Sequence, residues 1–280
     1  MPFIKKINED FFLEDNQIIL SKNYLEKNRN RFKKITGSRF SSVVGFNEYT
    51  SPFKTWCIMT GLYTEQMDEM MSKAGTIIEP KIKSAVEELL HVNYMQYEPQ
   101  KVGFDIFKEN KIFGGIPDGE PIVNNVINYD NEKRMLEIKT TSIDSFLYKK
   151  VNNLFVLQKD ENNNPIIKSY GTKREKWFDN NQNVKVPVEY EFQLSLYCYL
   201  RGISKGIFAI CFLETNDYIN PEQCNVYERE IQLVNLDIDI DKFKQFVIMA
   251  ENWYHDYIET GISPKLTKED LEFINSELKL

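Results

Sequence analysis

Two carboxylates and a lysine occur in two short segments that could together hold a metal ion. Asp118 follows the turn-forming residues 115–117, and Glu137 lies in the apolar segment 136–140. Two carboxylates at close range repel each other unless a cation lies between them. Magnesium prefers oxygen ligands and keeps several of its waters. The pattern therefore predicts a magnesium site whose remaining positions could be filled by water and by substrate phosphate oxygens.

Strand geometry makes the second segment more specific. Successive strand residues point to opposite faces, so Leu136 and Ile138 would face the core, and Glu137 and Lys139 would lie together on the other face. The backbone carbonyl of Ile138 is a further oxygen ligand, and Lys139 could orient or deprotonate the attacking water. The alternative is a surface salt bridge on a half-exposed strand, which contributes little to stability.

The position of Asp118 depends on how the strands pair. We expect residues 111–118 and 135–141 to form a hairpin across the polar turn 124–133, which would bring Asp118 beside Glu137. The alternative is that Asp118 is only a turn residue, because Pro-Asp-Gly is a strong turn signal by itself.

A third carboxylate, Glu79, precedes a predicted helix over residues 80–92. At about 100° per residue, Glu79 falls inside the apolar arc of that helix, where a carboxylate needs a partner such as a metal. The alternative is that Glu79 caps the helix N-terminus ahead of Pro80.

A glutamine and a tyrosine lie on one face of a predicted helix over residues 188–201. Gln193 and Tyr197 are four residues apart, on the same side as Leu200. Gln193 could bond a metal-bound water or a phosphate; the alternative is a partly exposed polar residue at the helix edge.

The order of helix and strand patterns predicts an α/β (α+β) fold with a central mixed β-sheet flanked by helices. Residues 8–34 should be mostly helical and residues 35–45 rich in turns, while residues 152–172 resemble a second, exposed hairpin. The remaining predicted helices cover 54–63, 66–74 and 240–260, and the remaining predicted strands cover 101–108, 206–213 and 226–234.

Composition excludes several classes of function. The 280 residues carry a net charge of −7, with local basic runs at 29–34 (followed by Arg39) and 168–176. No apolar run can span a bilayer, and no signal core is visible. The four scattered cysteines predict reduced thiols and a cytoplasmic protein. No Gly-rich phosphate loop indicates a nucleotide cofactor, and two isolated histidines give no zinc pattern.

Taken in order, these residues resemble the PD-(D/E)xK nuclease superfamily, and within it the YqaJ-like viral recombinases and lambda-type exonucleases. The resemblance spans roughly residues 29–202. It is carried by five motifs: Arg31-x-x-x-Ile35-Thr36-Gly37-Ser38, Gly75-x-x-x-Glu79-Pro80, Pro117-Asp118-Gly119, Leu136-Glu137-Ile138-Lys139 and Gln193-x-x-x-Tyr197.

The resemblance implies a restriction-endonuclease-like core and a role for each matched residue. The metal ligands for one or two Mg²⁺ ions, with Mn²⁺ as a substitute, would be Glu79, Asp118, Glu137 and the Ile138 carbonyl. Lys139 would serve the nucleophilic water and Gln193 would support the site. Binding of DNA or its 5′-phosphate would involve Arg31, Ser38 and Tyr197, with Arg39 as a competing candidate because a guanidinium fork matches phosphate oxygens.

The implied protein is a single nuclease domain over 1–280. It would comprise an N-terminal helical part that binds DNA ends (1–63), a catalytic core (64–213) with a hairpin insertion at 150–175, and a C-terminal strand and helix (214–280). The implied activity is a 5′→3′ double-strand DNA exonuclease of the phage recombination type. It would act with a single-strand annealing protein and as a possible homo-oligomer, without membrane attachment.

Two alternative hypotheses remain. The protein could be an endonuclease of the same superfamily, or a catalytically silent DNA-binding protein. The chain also departs from the family pattern. About fifty residues separate Lys139 from Gln193, and Gly37 stands where the family has alanine.

Overall fold

The computed structural model describes residues 8–65, 67–151 and 154–278. Its helices are α1 Lys22–Asn28, α2 Gly37–Val43, α3 Pro52–Thr60, α4 Glu69–Leu90, α5 Pro99–Val102, α6 Thr172–Glu175, α7 Val188–Arg201, α8 Thr215–Ile219, α9 Ile240–Trp253 and α10 Lys268–Leu278. Its strands are β1 Phe11–Glu14, β2 Gln17–Leu20, β3 Ile35–Thr36, β4 Asn93–Met95, β5 Phe113–Gly114, β6 Glu120–Val123, β7 Val126–Ile127, β8 Met135–Ser142, β9 Ser145–Phe146, β10 Tyr148–Val151, β11 Leu154–Leu157, β12 Ile167–Ser169, β13 Lys205–Leu213 and β14 Glu230–Asp237.

The three long strands form a mixed sheet in the order β14-β13-β8. Strand β13 pairs in parallel with β8 and antiparallel with β14. An antiparallel bridge between Gly119 and Leu136 joins β8 to the chain that leads into β6, which itself pairs with β4 and β7. The predicted fold class, a central mixed sheet flanked by helices, is confirmed.

The two faces of this sheet are covered by different helices. Leu136 and Ile138 belong to a buried cluster with Ile78 and Ile82 of α4. On the other face, Met135, Phe208 and Ile210 pack with residues of α7 and with Trp177. The alternation predicted for residues 136–139 is therefore present, and Glu137 and Lys139 face α7.

A third buried cluster lies beyond α7 and joins the two ends of the chain. It combines residues of β1, β2, α2 and α3 with residues of α9 and α10. At its centre Phe40 packs against Phe113, Phe192 and Phe243. Because α2 also contacts α7, this cluster fixes the N-terminal elements against the helix that carries Gln193.

Several predicted elements are correct. Helix α7 spans the predicted residues 188–201 and ends at Gly202, whose left-handed φ of 68° is the usual C-terminal geometry. Strands β8 and β13 lie within one residue of their predicted bounds. Helix α9 begins as predicted, and a π-helical turn over Tyr254–Glu259 continues it to Gly261.

Other predictions are wrong, mostly where the chain is paired over long distances. Residues 11–20 form the β1–β2 hairpin instead of helix, and residues 37–43 form α2 instead of turns. Residues 101–108 contain the end of α5 and no strand. The predicted strand 226–234 begins four residues late, at Glu230, after a 3₁₀ turn.

Two corrections concern the candidate site. The predicted 111–118/135–141 hairpin does not form, because β5 pairs in parallel with β3. The two predicted helices at 66–74 and 80–92 are one helix, α4, which is capped by Asp68 and contains Pro80 in its interior.

The exposed hairpin predicted over 152–172 is also paired differently. A turn at 160–164 is present, but β11 pairs with β10 and β12 pairs with β9. Residues 152–153 lie outside the described part of the chain. Among the described helices, none combines the length and apolar character that crossing a membrane requires.

Candidate active site

The centre of the candidate site is the β8 face that looks toward α7. Lys139 Nζ lies 2.7 Å from Glu137 Oε1 and 3.1 Å from Gln193 Oε1. The Gln193 amide Nε2 in turn donates to the same Glu137 Oε1 at 2.5 Å. Glu137 and Lys139 of β8 thus form one closed triangle with Gln193, which lies more than 50 residues further along the chain. Glu137 is almost completely buried, at 1% exposure.

The second oxygen of Glu137 has a different environment. Oε1 accepts two hydrogen bonds, whereas the buried Oε2 has no partner among the described residues. A buried oxygen without a partner costs about 1–3 kcal/mol, and more if it is charged. Burial and the nearby Asp118 carboxylate raise the pKa of Glu137 above its ordinary value, despite the opposing charge of Lys139. These features are expected of a carboxylate that lacks a cation.

Asp118 lies next to this carboxylate. The bridge from Gly119 to Leu136 places Asp118 opposite β8, and the Ile138 N–H donates to Asp118 Oδ2 at 2.7 Å. Burial raises the pKa of Asp118 and outweighs the charge of Lys139 and this hydrogen bond, both of which lower it. The predicted proximity to Glu137 is therefore present, although the bridge at Gly119 replaces the predicted hairpin.

The Ile138 carbonyl points to the same edge of the sheet. Leu136 exchanges both of its backbone hydrogen bonds with Gly119, and residues two apart on a strand direct their backbone groups to the same side. The Ile138 N–H, bonded to Asp118, follows this rule. Its carbonyl therefore lies on the Asp118 side, as a metal ligand would.

Glu79 reaches the site from α4. It lies ten residues after the first residue of that helix, so the alternative that it caps the N-terminus is wrong. Its side chain is exposed instead of facing the core as predicted, although other parts of the protein surround much of it. Displacement of water by this surrounding protein, together with the charge of Asp118, raises the pKa of Glu79 to about 7.

The donor set fits magnesium better than a metal that needs a full protein cage. Within the described ranges, no group of three or more His, Cys, Asp or Glu side chains is arranged to hold a metal. Magnesium is usually held by one or two carboxylates and completes its shell with water and substrate oxygens. Asp118, the unpartnered oxygen of Glu137 and the Ile138 carbonyl match that requirement, and Glu79 lies near enough to feel the charge of Asp118.

Two aromatic residues that we did not identify in the sequence support Lys139. The Tyr190 ring centroid lies 4.5 Å from Lys139 Nζ, and Trp177 stacks on Tyr190 with 5.9 Å between ring centroids. The signal was available for Tyr190, since it precedes Gln193 by three residues and thus shares its helix face. No local pattern marks Trp177, which comes from the segment after α6.

Burial and charge act in opposite directions on Lys139. Burial disfavours the charged ammonium, but the carboxylates of Glu137 and Asp118 outweigh that effect and raise the pKa of Lys139. The ammonium form is also the one that interacts favourably with the Tyr190 ring.

Tyr197 is a buried contact between two backbone segments. Its side chain is 4% exposed, and the N–H groups of Gly37 and Ile116 face its hydroxyl group. A Cβ atom at Gly37 would lie 2.8 Å from Tyr197 Cζ, and one at Gly115 would lie 2.5 Å from the hydroxyl. Tyr197 thus fixes the start of α2 against the loop that carries Asp118.

The start of α2 also holds the candidate phosphate-binding residues. Arg39 Nη1 donates to Thr36 Oγ1 at 2.9 Å, and Thr36 Oγ1 lies 3.1 Å from Ser38 Oγ. Burial lowers the pKa of the Arg39 guanidinium. Arg31 lies exposed on a 3₁₀ turn and makes no hydrogen bond or ion pair with the described residues. The structure therefore brings Ser38 and Arg39 together, with Thr36 as an additional polar neighbour.

Comparison with known proteins shows the family of the chain. Residues 28–200 match the YqaJ-like viral recombinase domain. The chain is 48% identical to the uncharacterized protein MG373 of Mycoplasma genitalium and 46% identical to the MG373 homolog of Mycoplasma pneumoniae. Each alignment has 275 residues and covers 98% of both chains.

Among solved structures, an alkaline exonuclease (LHK-Exo) from Laribacter hongkongensis aligns with a TM-score of 0.47 at 12% identity, over 92% of this chain and 98% of that one. A phage related exonuclease from Haemophilus somnus aligns with a TM-score of 0.47 at 15% identity, over 82% and 98%. The family match covers the motifs from Arg31 to Tyr197, and by that match the chain belongs to the YqaJ-like viral recombinase domain family.

Proposed function

We propose that this protein is a Mg²⁺-dependent deoxyribonuclease that degrades duplex DNA from its 5′ end. The observation that carries the proposal is the buried, unpartnered Oε2 of Glu137 beside Asp118. A silent DNA-binding protein has no physical need for a strand carboxylate, Glu137, and a loop carboxylate, Asp118, whose pKa values are both raised where they meet. A cation between them removes their repulsion and supplies the missing partner.

Asp118, Glu137 and the Ile138 carbonyl would hold the metal, and Glu79 would be a further ligand from α4. The bound Mg²⁺ would polarise a phosphoryl oxygen and lower the pKa of a coordinated water. Because the carboxylates keep Lys139 protonated, we assign it the orientation of that water and the stabilisation of negative charge. Gln193 fixes both Glu137 and Lys139 through its amide group.

The polar group around Arg39 supports the proposal that degradation begins at a 5′ end. The Arg39 guanidinium has Thr36 and Ser38 as neighbours and makes no ion pair with the described carboxylates. A guanidinium in that setting suits a terminal phosphate. Tyr197 links this group to the Asp118 loop, so an end bound at Arg39 would be held at a fixed position relative to the metal. We extend the proposal to recombination in the cytoplasm, with a single-strand annealing protein as partner and with homo-oligomer formation.

The test is digestion of linear duplex DNA labelled at one 5′ end, with Mg²⁺ or Mn²⁺, beside a closed circular duplex of the same sequence. Three proteins are compared: wild type, Lys139→Ala, and the control Lys244→Ala, which removes an exposed lysine from α9. We expect early release of labelled mononucleotide from the linear substrate only. We also expect loss of cleavage in Lys139→Ala and unchanged cleavage in Lys244→Ala.

Each other outcome contradicts a defined part of the proposal. Cutting of the circle identifies an endonuclease, and release of label only late in digestion contradicts the 5′ polarity. DNA binding without cleavage by the wild type identifies a silent binding protein. Near wild-type cleavage by Lys139→Ala shows that the assigned site is wrong.

A further inference from the structure

The segment that follows the catalytic strand differs in charge from the rest of the chain. Residues 148–176 contain seven basic and three acidic residues, a net charge of +4 in a protein whose total is −7. This segment includes the β10–β11 hairpin, whose strands pair only with each other in the described structure. A locally basic, projecting element on an acidic protein indicates an anionic partner.

Two basic residues of the segment attach it to the body of the protein. Lys159 pairs with Asp68 at the start of α4, with a nitrogen–oxygen distance of 3.0 Å. Arg174 pairs with Glu230 of β14 at 2.6 Å. These two ion pairs hold the base of the segment against α4 and β14.

Three other lysines have no such role. Lys149, Lys150 and Lys168 are exposed, and none makes a salt bridge or a side-chain hydrogen bond with a described residue. Desolvation therefore costs little when these ammonium groups meet an external phosphate, and release of counterions favours the contact.

Each side of this surface also presents an aromatic ring. Phe155, 73% exposed, lies directly opposite Lys150 in the β10–β11 register. Tyr170, 78% exposed, follows the exposed Lys168 by two residues, just after β12, whose pairing with β9 is irregular between Ile167 and Ser169. Exposed rings beside lysines are free to stack on the bases of an unpaired strand whose phosphates those lysines contact.

The two lysine–aromatic pairs lie close enough to contact one strand. Leu147 N donates to Ile166 O at 2.8 Å, which joins the base of β10 to the start of β12. From there Lys150 is three residues away and Lys168 two. At about 3.3 Å per residue plus one strand spacing, the backbones of Lys150 and Lys168 lie within about 21 Å of each other.

We propose that Lys150, Phe155, Lys168 and Tyr170 form a binding surface for single-stranded DNA. Lys149, on the opposite face of β10, contributes a further phosphate contact at the edge of this surface. Lysines bind the phosphates, while exposed rings stack on bases that only an unpaired strand can offer. The inference rests on the proposed function, because a nuclease that removes one strand of a duplex leaves the other strand single. That remaining strand is the occupant to which we assign the surface.

The test measures binding of a fluorescein-labelled oligo(dT) 30-mer by fluorescence anisotropy in EDTA at several salt concentrations. Because EDTA removes divalent metal ions, the oligonucleotide is not cleaved and its affinity is measured separately from activity. For Lys149→Ala/Lys150→Ala/Lys168→Ala we expect at least tenfold weaker binding at low salt. We also expect the slope of log K against log salt to decrease by about 2, since each phosphate contact on a single strand contributes about 0.7. For Phe155→Ala/Tyr170→Ala we expect at least fivefold weaker binding with an unchanged slope.

The matched control is Lys244→Ala/Lys265→Ala/Lys268→Ala, which removes the same charge from exposed positions in the C-terminal part of the chain. If both triple variants weaken oligo(dT) binding equally, the effect comes from net charge alone and the inference is overturned. The inference is also overturned if the Lys149/Lys150/Lys168 variant binds oligo(dT) as well as the wild type does. A third contradicting result is that this variant loses affinity for a blunt 30-bp duplex to the same extent. A wild type that binds oligo(dT) but does not cleave in Mg²⁺ contradicts the nuclease proposal instead. A wild type that cleaves while the variants bind normally contradicts this inference alone.

Discussion

Lys139 Nζ lies 4.5 Å from the centroid of the Tyr190 ring, which is itself stacked on Trp177. The ammonium is therefore held on three sides, by Glu137, by Gln193 and by an aromatic face. A flexible lysine side chain with four methylene groups needs such contacts to act at one position.

Replacing the ring should lower the rate of cleavage more than substrate affinity. A partly buried cation–π contact contributes about 1 kcal/mol, so we expect Tyr190→Leu to reduce kcat roughly fivefold with little change in KM. Tyr190→Phe keeps the ring and should retain nearly full activity. The control Tyr199→Leu makes the same change on α7 where the ring packs on Phe243. Equal effects of Tyr190→Leu and Tyr199→Leu on kcat would show that only helix packing is involved.

Magnesium should stabilise the folded protein through Glu137. A ligand that binds only the folded state adds RT ln(1 + [L]/Kd), or about 1.4 kcal/mol at ten times Kd. We expect Mg²⁺ to raise the Tm of the wild type in differential scanning fluorimetry, and Glu137→Gln to lose most of that shift. Glu175→Gln, an exposed change on α6, is the control. The same Tm shift in all three proteins would place the bound metal elsewhere.

Gly37 allows α2 to approach α7 closely. A Cβ atom at this position would lie 2.7 Å from Gln193 Cγ and 2.8 Å from Tyr197 Cζ, which is closer than real contacts permit. We expect Gly37→Ala to cost about 1–3 kcal/mol, the usual range for overpacking, and to lower cleavage by displacing Gln193. Urea unfolding and the end-labelled digestion measure the two effects.

Gly75→Ala is the matched control for that substitution. Gly75 lies within α4, and a Cβ atom there would meet nothing within 4 Å. Alanine is favoured over glycine inside a helix by about 1 kcal/mol, so this variant should be neutral or more stable. If Gly37→Ala behaved like Gly75→Ala, the close contact with α7 would not constrain the site.

Asp105 should contribute a pH-dependent part of the stability. Its carboxylate accepts hydrogen bonds from Lys34 Nζ at 2.6 Å and from the Gly115 N–H at 3.0 Å, which fixes the loop before Asp118. Burial by itself raises the pKa of Asp105, but Lys34 and the backbone N–H groups outweigh burial and hold that pKa below its ordinary value. A lowered pKa stabilises the fold above the unfolded-state pKa of about 3.8, and this stabilisation is lost as the pH falls through the folded-state pKa.

We therefore expect Asp105→Asn to reduce the free energy of unfolding by about 1 kcal/mol at pH 7. The difference from wild type should shrink as the pH falls below about 3.8. Urea titrations at pH 7, 4 and 3 measure it, with Asp241→Asn, an exposed change in the first turn of α9, as control. A difference that stayed constant with pH would show that the charge of Asp105 is not involved.

The sequence alone determined the elements whose pattern repeats over many residues. Alternation along 135–141 placed Glu137 and Lys139 on one face, and helical spacing placed Gln193 and Tyr197 on one side of α7. Both relationships are local: strand and helix geometry fixes them whatever the rest of the chain does. The central mixed sheet and its flanking helices followed from the order of such elements.

Tertiary structure decided the contacts between distant segments. Residues 11–20 form a hairpin because β2 also bonds to residues near Gly261 and Ser263, which a local pattern cannot show. Asp118 reaches Glu137 through one bridge at Gly119, since β5 is paired with β3. The partners of Lys139, above all Tyr190 and Trp177, come from chain segments about 40–50 residues further on. Helical spacing places Tyr190 on the same face as Gln193, but it cannot show that this face meets Lys139, because that contact depends on packing across the whole core.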